Sequence, residues 1–184
     1  MIAIMSDWIE ALEPLLGPEI EAEAKSVLFR QGDKVRYLYV VRAGCVHLVR
    51  FGENGSSAVM QRAAAPAALA ESSVFSSTYH CGGECVSDSI LARAQITAVR
   101  AALDRQPELL RKLTRHLARE VQRTRARVEL LSRRTVAERL DGWLAFNGDA
   151  LPTRGHWRSV AEDIGVSPEA FYRELQRRRK ATDE

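Results

Sequence analysis

The sequence predicts an α+β protein, in which an N-terminal β-barrel or β-sandwich precedes a long helix and a C-terminal pair of short helices. Three patterns predict this order. Short β-branched and aromatic runs, separated by Gly, Asn and Ser, fill residues 27–99. A heptad-like apolar repeat covers residues 107–131, and a helix-turn-helix pattern covers residues 157–179. We therefore expect three segments: a barrel with N-terminal helices at 1–104, a dimerisation helix at 105–131, and a helix-turn-helix domain at 132–184.

The N-terminal segment, residues 6–24, is predicted to be helical. Ile9, Leu12 and Leu15 share one face of a helix, and acidic residues lie on the other. Pro14 and the Gly17-Pro18 pair interrupt this pattern, so we expect two short helices.

The barrel region contains three clear strand signals. Residues 37–41 and 46–51 are β-branched or aromatic runs separated by a turn at 42–44. Glu53-Asn54-Gly55 is typical of a hairpin, since Asn-Gly tolerates positive φ at both turn positions. Residues 57–62 are then expected to pair with residues 46–51.

Composition excludes several classes of protein. Of the 184 residues, 46% are hydrophobic and 28% charged, and no apolar run reaches the roughly 18 residues that span a bilayer. The N-terminus carries acids rather than the basic start of a signal peptide, so we expect a cytoplasmic protein with no membrane partner. No nucleophile–base motif, phosphate loop or His-Glu-x-x-His pattern is present, so we do not expect an enzyme.

Charge is distributed unevenly along the chain. Residues 1–104 hold 9 Lys and Arg against 12 Asp and Glu, whereas residues 105–184 hold 18 against 12. The basic C-terminal part is the part expected to meet a polyanion. A solvated Arg-rich helix would give the same balance.

The heptad-like repeat lies on one predicted helix that starts near Pro107, a residue suited to the first helical turn. Such a long helix has more apolar surface than a small domain covers, so we expect its seam to contact a second copy of the chain. The alternative is a long intramolecular core helix. The seam residues are Leu110, Leu113, Leu117, Val121, Thr124, Val128 and Leu131.

The last two helices, 157–164 and 168–179, carry a helix-turn-helix pattern. Ala161 is small where two helices approach, and Gly165 permits a left-handed turn. Ser167 is a suitable N-cap and Pro168 a suitable first helical residue. Phe171 and its neighbour one turn later, Leu175, are expected to point inward.

The outward face of the last helix is predicted to enter the major groove of double-stranded DNA. Arg pairs bidentately with guanine, and Glu accepts a hydrogen bond from the cytosine amino group. The expected DNA-binding residues are Arg158, Ser167, Glu169, Tyr172, Arg173, Gln176 and Arg177, with Arg158 and the basic run 177–180 on phosphates. The alternatives are an ion pair between Glu169 and Arg173 and a merely solvated basic tail.

These motifs together resemble the Crp/Fnr family of transcription regulators, over about residues 26–179. The most specific stretches are 28–33 and 38–46, with turns at Gly32-Asp33 and Gly44, and 167–173. The resemblance implies a jelly-roll barrel of the cyclic-nucleotide-binding type. It also implies base reading by Glu169 and Arg173, although Pro168 replaces the family's first Arg. The family's two-stranded wing is expected to be short or absent.

In cyclic-nucleotide-binding members a Gly-Glu-Leu turn, a short helix and an Arg hold the phosphate. The resemblance implies a ligand pocket at Glu71, Ser72, His80 and Cys81. Ala70 replaces the Gly, and His80 or Cys81 stands where the Arg belongs. A buried phosphate without a cation is costly, so we do not expect cAMP binding in the family manner. Arg93 is an alternative source of the cation.

Cysteine and histidine residues offer a second sensor hypothesis. Cys45 and His47 share a strand face, while His80, Cys81 and Cys85 are close in sequence. If the barrel gathers them, thiolates and imidazoles could hold Zn²⁺ or Cu(I), or two thiols could form a redox disulfide. Haem on His47 or His80 is a further option, and inert buried thiols are the simpler one. No cysteine precedes Cys45, which argues against the iron–sulfur mechanism of the family.

The sequence therefore predicts a homodimeric DNA-binding regulator. The alternative is a degenerate family member that acts through protein partners such as RNA polymerase.

Overall fold

The computed structural model describes residues 7–52, 55–148 and 150–182. The strands are β1 (Ile20–Ala22), β2 (Val27–Phe29), β3 (Tyr37–Ala43), β4 (Cys45–Phe51), β5 (Ser57–Ala64), β6 (Ala67–Leu69), β7 (Gly82–Cys85) and β8 (Ser89–Gln95). The α-helices are α1 (Asp7–Leu12), α2 (Ile96–Arg105), α3 (Pro107–Ser132), α4 (Val136–Asn147), α5 (Trp157–Asp163) and α6 (Pro168–Thr182). Short 3₁₀ turns occur at Glu13–Leu15, Glu71–Ser73 and Arg154–His156.

The chain divides into two compact units, the first ending at Ala118 and the second beginning at Arg119. Because α3 extends from Pro107 to Ser132, it supplies residues to each unit. The sequence-based divisions at residues 104 and 131 stay predictions.

The first unit contains two four-stranded sheets, in the orders β1-β8-β3-β6 and β2-β7-β4-β5. All named strand pairs are antiparallel. Leu38 and Val40 on β3 and Val46 on β4 are fully buried, and Trp8 and Leu12 of α1 and Val99 of α2 join the same core. The predicted α+β fold with an N-terminal barrel is confirmed.

The predicted hairpin after residue 51 falls partly on Glu53 and Asn54, which lie outside the described residues. The strands on either side pair as expected, from Cys45 with Ala64 to Phe51 with Ser57. Gly55 has φ +78°, a conformation that favours glycine.

The prediction of a second N-terminal helix before residue 24 is wrong. The chain leaves α1 and its 3₁₀ turn, and Ile20–Ala22 then forms edge strand β1. Ile20 pairs with Leu91 on β8. The backbone of this short segment obtains its hydrogen bonds from the sheet, because Pro18 opposes continuation of a helix.

The second unit is built from α4, α5 and α6 with the last part of α3. Thr135 and Glu138 form a reciprocal capping box that starts α4. Leu140 on α4 packs in one cluster with the helix-turn-helix residues Val160, Ala161, Ile164, Phe171 and Leu175. No helix among the described residues is both long and apolar enough to cross a membrane.

An ion network around one buried carboxylate attaches α6 to α4. Glu174 is only 9% exposed and accepts hydrogen bonds from Arg177 and Arg178, each with an oxygen–nitrogen distance of 2.8 Å. Arg178 also contacts Asp141 at 2.7 Å and donates to the carbonyl of Ala137. The hydrogen bond from Arg177, helped by that from Arg178, lowers the pKa of Glu174 to about 2.

We expect Glu174→Gln to destabilise the second unit at pH 7 and to lose this effect in acid. The folded-state pKa lies below the ordinary value of 4.5, so the stabilisation is fully present above pH 4.5 and disappears as the pH falls through about 2. Urea unfolding at pH 7, 4.5 and 3 measures the difference in free energy of unfolding between the two proteins. A difference that stays constant over this range would contradict the assignment.

Candidate nucleic-acid interface and sensor cassette

The turn between α5 and α6 has the close geometry that the sequence predicts. Gly165 has φ +66°, and a Cβ atom there would overlap with the side chain of Leu131. Val166 N–H donates to the carbonyl of Ala161 at 2.9 Å, and the Ser167 hydroxyl accepts from Ala170 N–H at 3.2 Å. The two helices and their turn are therefore fixed by backbone geometry and capping as well as by apolar packing.

The outward face of α6 presents the predicted base-reading residues together. Glu169, Tyr172, Arg173 and Gln176 are all exposed. Hydrogen bonds from its own backbone N–H and from Ser167 lower the pKa of Glu169, so it is ionised at neutral pH. Glu169 and Arg173 form no ion pair with each other, so both charged groups face solvent.

The arginines near the predicted phosphate-contacting surface are already engaged by other side chains of the protein. Arg158 lies 3.4 Å from Glu162. Arg177 is held by Glu174 through two hydrogen bonds, as described above. Arg179 lies over the ring of Trp157, 5.8 Å from its centroid. The local signal for this pairing is Glu174, three residues before Arg177, which sequence reasoning overlooked.

We call the segment from Ala70 to Cys81, which contains the predicted ligand pocket, the sensor cassette. It begins at Ala70, which has φ +68°. This is the left-handed conformation that glycine adopts without strain and alanine does not. Glu71 follows in a 3₁₀ turn and is 6% exposed, whereas Ser72 is exposed. The Oε2 atom of Glu71 has no hydrogen-bond partner, and the Oε1 atom of Glu71 lies 3.8 Å from Nε2 of His116 on α3. His116 could not be identified from the sequence, because only the fold brings it to the cassette.

The histidine and cysteine of the cassette lie side by side. His80 Nδ1 is 3.1 Å from the Ser73 hydroxyl, and His80 Nε2 is 3.8 Å from the Cys81 sulfur. Burial, and then the negative charge of Glu71, raise the pKa of the Cys81 thiol, while Arg50 on β4 opposes this shift. Arg50 is thus a cation whose charge acts on the Cys81 thiol.

Arg93, the cation suggested by the sequence, is engaged elsewhere. Its guanidinium lies over the ring of Tyr37, 4.4 Å from the centroid. A residue that sequence reasoning missed, Arg100, instead supports the chain after the cassette, donating to the carbonyls of Val74 at 2.6 Å and Ser76 at 2.7 Å.

The structure does not gather the five predicted metal ligands. Among residues 7–52, 55–148 and 150–182, no group of three or more His, Cys, Asp or Glu is placed to hold a metal ion. On neighbouring strands, His47 faces Glu84 and Val46 faces Cys85. Cys45, Cys81 and Cys85 are free thiols, and burial raises the pKa of each. Raised pKa values favour protonated, unreactive thiols.

The predicted seam on α3 separates into two faces. Leu113 is 1% exposed and belongs to the barrel core, and Leu117 packs against that core. Leu113 is thus turned away from the exposed face, and Thr114 occupies that face instead. The exposed stripe on α3 consists of Leu110, Thr114, Val121, Thr124, Val128 and Leu131.

Comparison with known proteins bears on the barrel and on the overall fold. Residues 19–106 match the family model of the cyclic nucleotide-binding domain. No curated protein sequence matches the chain significantly.

Several solved structures have the same fold. FixK2 from Bradyrhizobium japonicum is 18% identical, with a TM-score of 0.70 over 90% of this chain and 85% of that one. The c-di-GMP responsive global regulator CLP from Xanthomonas campestris is 17% identical, with a TM-score of 0.64 over 95% and 92%. The catabolite activator protein of Thermus thermophilus is 19% identical, with a TM-score of 0.55 over 98% and 86%.

The two-sheet barrel agrees with the family match, and the long helix and C-terminal helices that follow it lie within the part of the chain that the solved structures cover. Residues 19–106 thus match the cyclic nucleotide-binding domain, and the chain has the fold of the Crp/Fnr-type transcription regulators.

Proposed function

We propose that the protein is a homodimeric transcription regulator that binds a specific DNA sequence through α6. The observation that carries this proposal is that Glu169 and Arg173 are exposed, and not paired with each other, on the outward face of a tightly packed helix-turn-helix. Both groups are charged at neutral pH and lie one turn apart near the start of the helix. This is where helix-turn-helix proteins contact base edges in the major groove.

The other contacts follow from position on the same surface. Tyr172 and Gln176 lie beside Arg173 on the face that meets the bases. Arg158 and Arg177 are proposed to contact phosphates, which requires each to exchange its carboxylate partner for a phosphate oxygen. Ser167 caps the helix and so fixes its start relative to the backbone of DNA.

Dimerisation is proposed to occur along the exposed stripe on α3. Val121 is 49% and Val128 62% exposed, and apolar groups at heptad spacing on a helix are typically covered by a second helix. A two-fold axis along α3 would present two α6 helices to successive major grooves, about 34 Å apart.

The barrel is proposed to sense a ligand other than cAMP bound in the family manner. Its pocket would include Glu71, Ser72, His80 and Cys81. The cassette itself supplies no guanidinium, and the arginine whose charge acts on Cys81 is Arg50 on β4. Glu71 already lies against His116, so a ligand that binds Glu71 would alter a contact between the cassette and α3. This contact is the proposed route from the sensor to the dimerisation helix.

Arg173→Ala is expected to relax base choice at one position of each half-site and to weaken specific binding by about 1–3 kcal/mol. The operator is first selected from a random duplex library, and binding is then measured by fluorescence anisotropy. The comparison variant, Arg158→Ala, should weaken binding to all duplexes equally, since phosphates carry no sequence information. A variant Arg173→Ala protein with the wild-type preference at every position would contradict the assignment.

Val121→Glu is expected to convert the dimer to a monomer. Burying a carboxylate from each copy against an apolar stripe should weaken the dimer about a hundredfold or more. Sedimentation velocity over a range of concentrations measures this change, and circular dichroism checks the fold. Gln122→Glu adds the same charge at an exposed α3 residue away from the stripe and should leave the dimer intact. Equal effects of the two variants would remove the stripe from the interface.

Titration calorimetry with cAMP is expected to show no saturation up to about 1 mM. A Kd of that size corresponds to a binding free energy of only about −4 kcal/mol. The reason is the absence of a guanidinium within the cassette. Tight, saturable binding that Arg50→Ala abolishes would overturn this proposal and make Arg50 the phosphate ligand.

A further inference from the structure

The second unit contains a groove that the proposed DNA-binding function does not use. It has a volume of about 670 Å³ and is bounded by the last part of α3, by α4 and by the end of α5. Its cationic and aromatic side chains are Arg119, Arg123, Arg127, Trp143 and Phe146, and Asp163 lies at its α5 side. A volume of this size suits a small organic ligand.

The groove has uncompensated positive charge. Arg123 is paired with Glu120 at 2.7 Å. Within the part of the chain that the structure describes, neither Arg119 nor Arg127 forms an ion pair with a carboxylate. The Nε atom of Arg127 is buried and has no hydrogen-bond partner. A buried guanidinium donor without a partner is costly, and an anion in the groove would remove that cost.

The same groove has an exposed aromatic surface. Phe146, on the last turn of α4, is 58% exposed. Trp143 lies one turn earlier, and its indole N–H donates to Asp163 at 3.3 Å, which fixes the ring and occupies one carboxylate oxygen. Solvent-exposed rings beside guanidinium groups provide a stacking surface for a planar ring that carries negative charge.

We propose that this groove binds a nucleoside phosphate. Arg119 and Arg127 would hold the phosphate oxygens, since a planar guanidinium pairs bidentately with phosphate. Phe146 would stack on the base, in the way that aromatic side chains hold bases of any sequence. The second oxygen of Asp163 and the Asn147 amide, which also lines the groove, would hydrogen-bond to polar edges of the ligand.

The groove is separate from the other proposed surfaces. At about 3.6 residues per turn, Arg119, Arg123 and Leu130 lie on the side of α3 opposite to Val121 and Val128. Arg127 lies nearer to the stripe, so a dimer along the stripe would leave open the side of the groove formed by Arg119 and Arg123. The groove also contains none of the cassette residues.

The test uses the full-length protein and isothermal titration calorimetry with ATP and GTP. Both nucleotides are used because the polar groups of the groove do not specify a base. We expect one nucleotide per chain, and markedly weaker binding of tripolyphosphate, which has the charge but lacks the ring. Phe146→Ala, at a side chain outside the core, should weaken nucleotide binding about tenfold or more.

Two arginine variants distinguish a built site from general attraction of anions to a basic helix. Arg119→Ala should weaken nucleotide binding about tenfold, whereas Arg125→Ala, which removes the same charge outside the groove, should leave it unchanged. Equal losses in the two variants would overturn the proposal. So would tripolyphosphate binding as tightly as ATP, or nucleotide binding that is insensitive to Phe146→Ala and hence located elsewhere, such as in the barrel. Absence of nucleotide binding would also overturn the proposal. If an acidic tryptophan-containing peptide bound instead, the ligand of the groove would be a protein partner.

Discussion

The close packing of α6 on α5 is the constraint on which the candidate DNA-binding surface depends. Ala161 and Ile164 are fully buried beneath Phe171, and Gly165 provides the one left-handed residue that the turn needs. Because Phe171 points inward, helical periodicity forces Glu169, Tyr172 and Arg173 outward. The chemistry of the outer face therefore depends on the apolar residues beneath it.

The buried carboxylate of Glu71 sets the corresponding constraint in the barrel. A carboxylate that is 6% exposed normally has its oxygens satisfied, yet Oε2 has no hydrogen-bond partner in the structure. Its neighbours are a protonated thiol at Cys81 and the imidazole of His116. Glu71 is thus held by weak contacts at the junction of the cassette and α3. The backbone at Ala70 is strained as well, and strained residues are concentrated at functional sites.

The sequence predicts most of the fold because several local signals agree. The capping residues, Pro107, Pro168 and the left-handed glycines mark helix boundaries that the structure reproduces within a few residues. Prediction from the sequence fails where residues that pair or pack together are distant in the chain. The strand at Ile20 depends on pairing with Leu91, seventy residues away. Leu113 and Thr114 both fit the heptad pattern of α3, and only the barrel core decides that Leu113 turns inward.

The site is predictable to a lesser degree. Residues on one helix face, such as Glu169 and Arg173, can be placed together from periodicity alone. The cassette cannot, because His116 and Arg50 come from elements far from Glu71 in sequence. Strand alternation correctly places Cys45 and His47 on one face, but it does not identify the strands beside them, which here bring Glu84 rather than a third ligand.

The ion network of Glu174 reduces the number of cations on α6 that would be available to displace counterions from DNA phosphates. The basic run 177–180 contains four cations, but Arg177 and Arg178 are already neutralised by carboxylates and Arg179 lies on Trp157. Each phosphate that a protein neutralises releases about one condensed cation from the duplex. A cation that must first leave an internal carboxylate contributes less of this entropy. The ionic-strength dependence of binding should therefore reflect fewer phosphate contacts than a count of Arg and Lys implies, and a larger share of the affinity would come from base contacts.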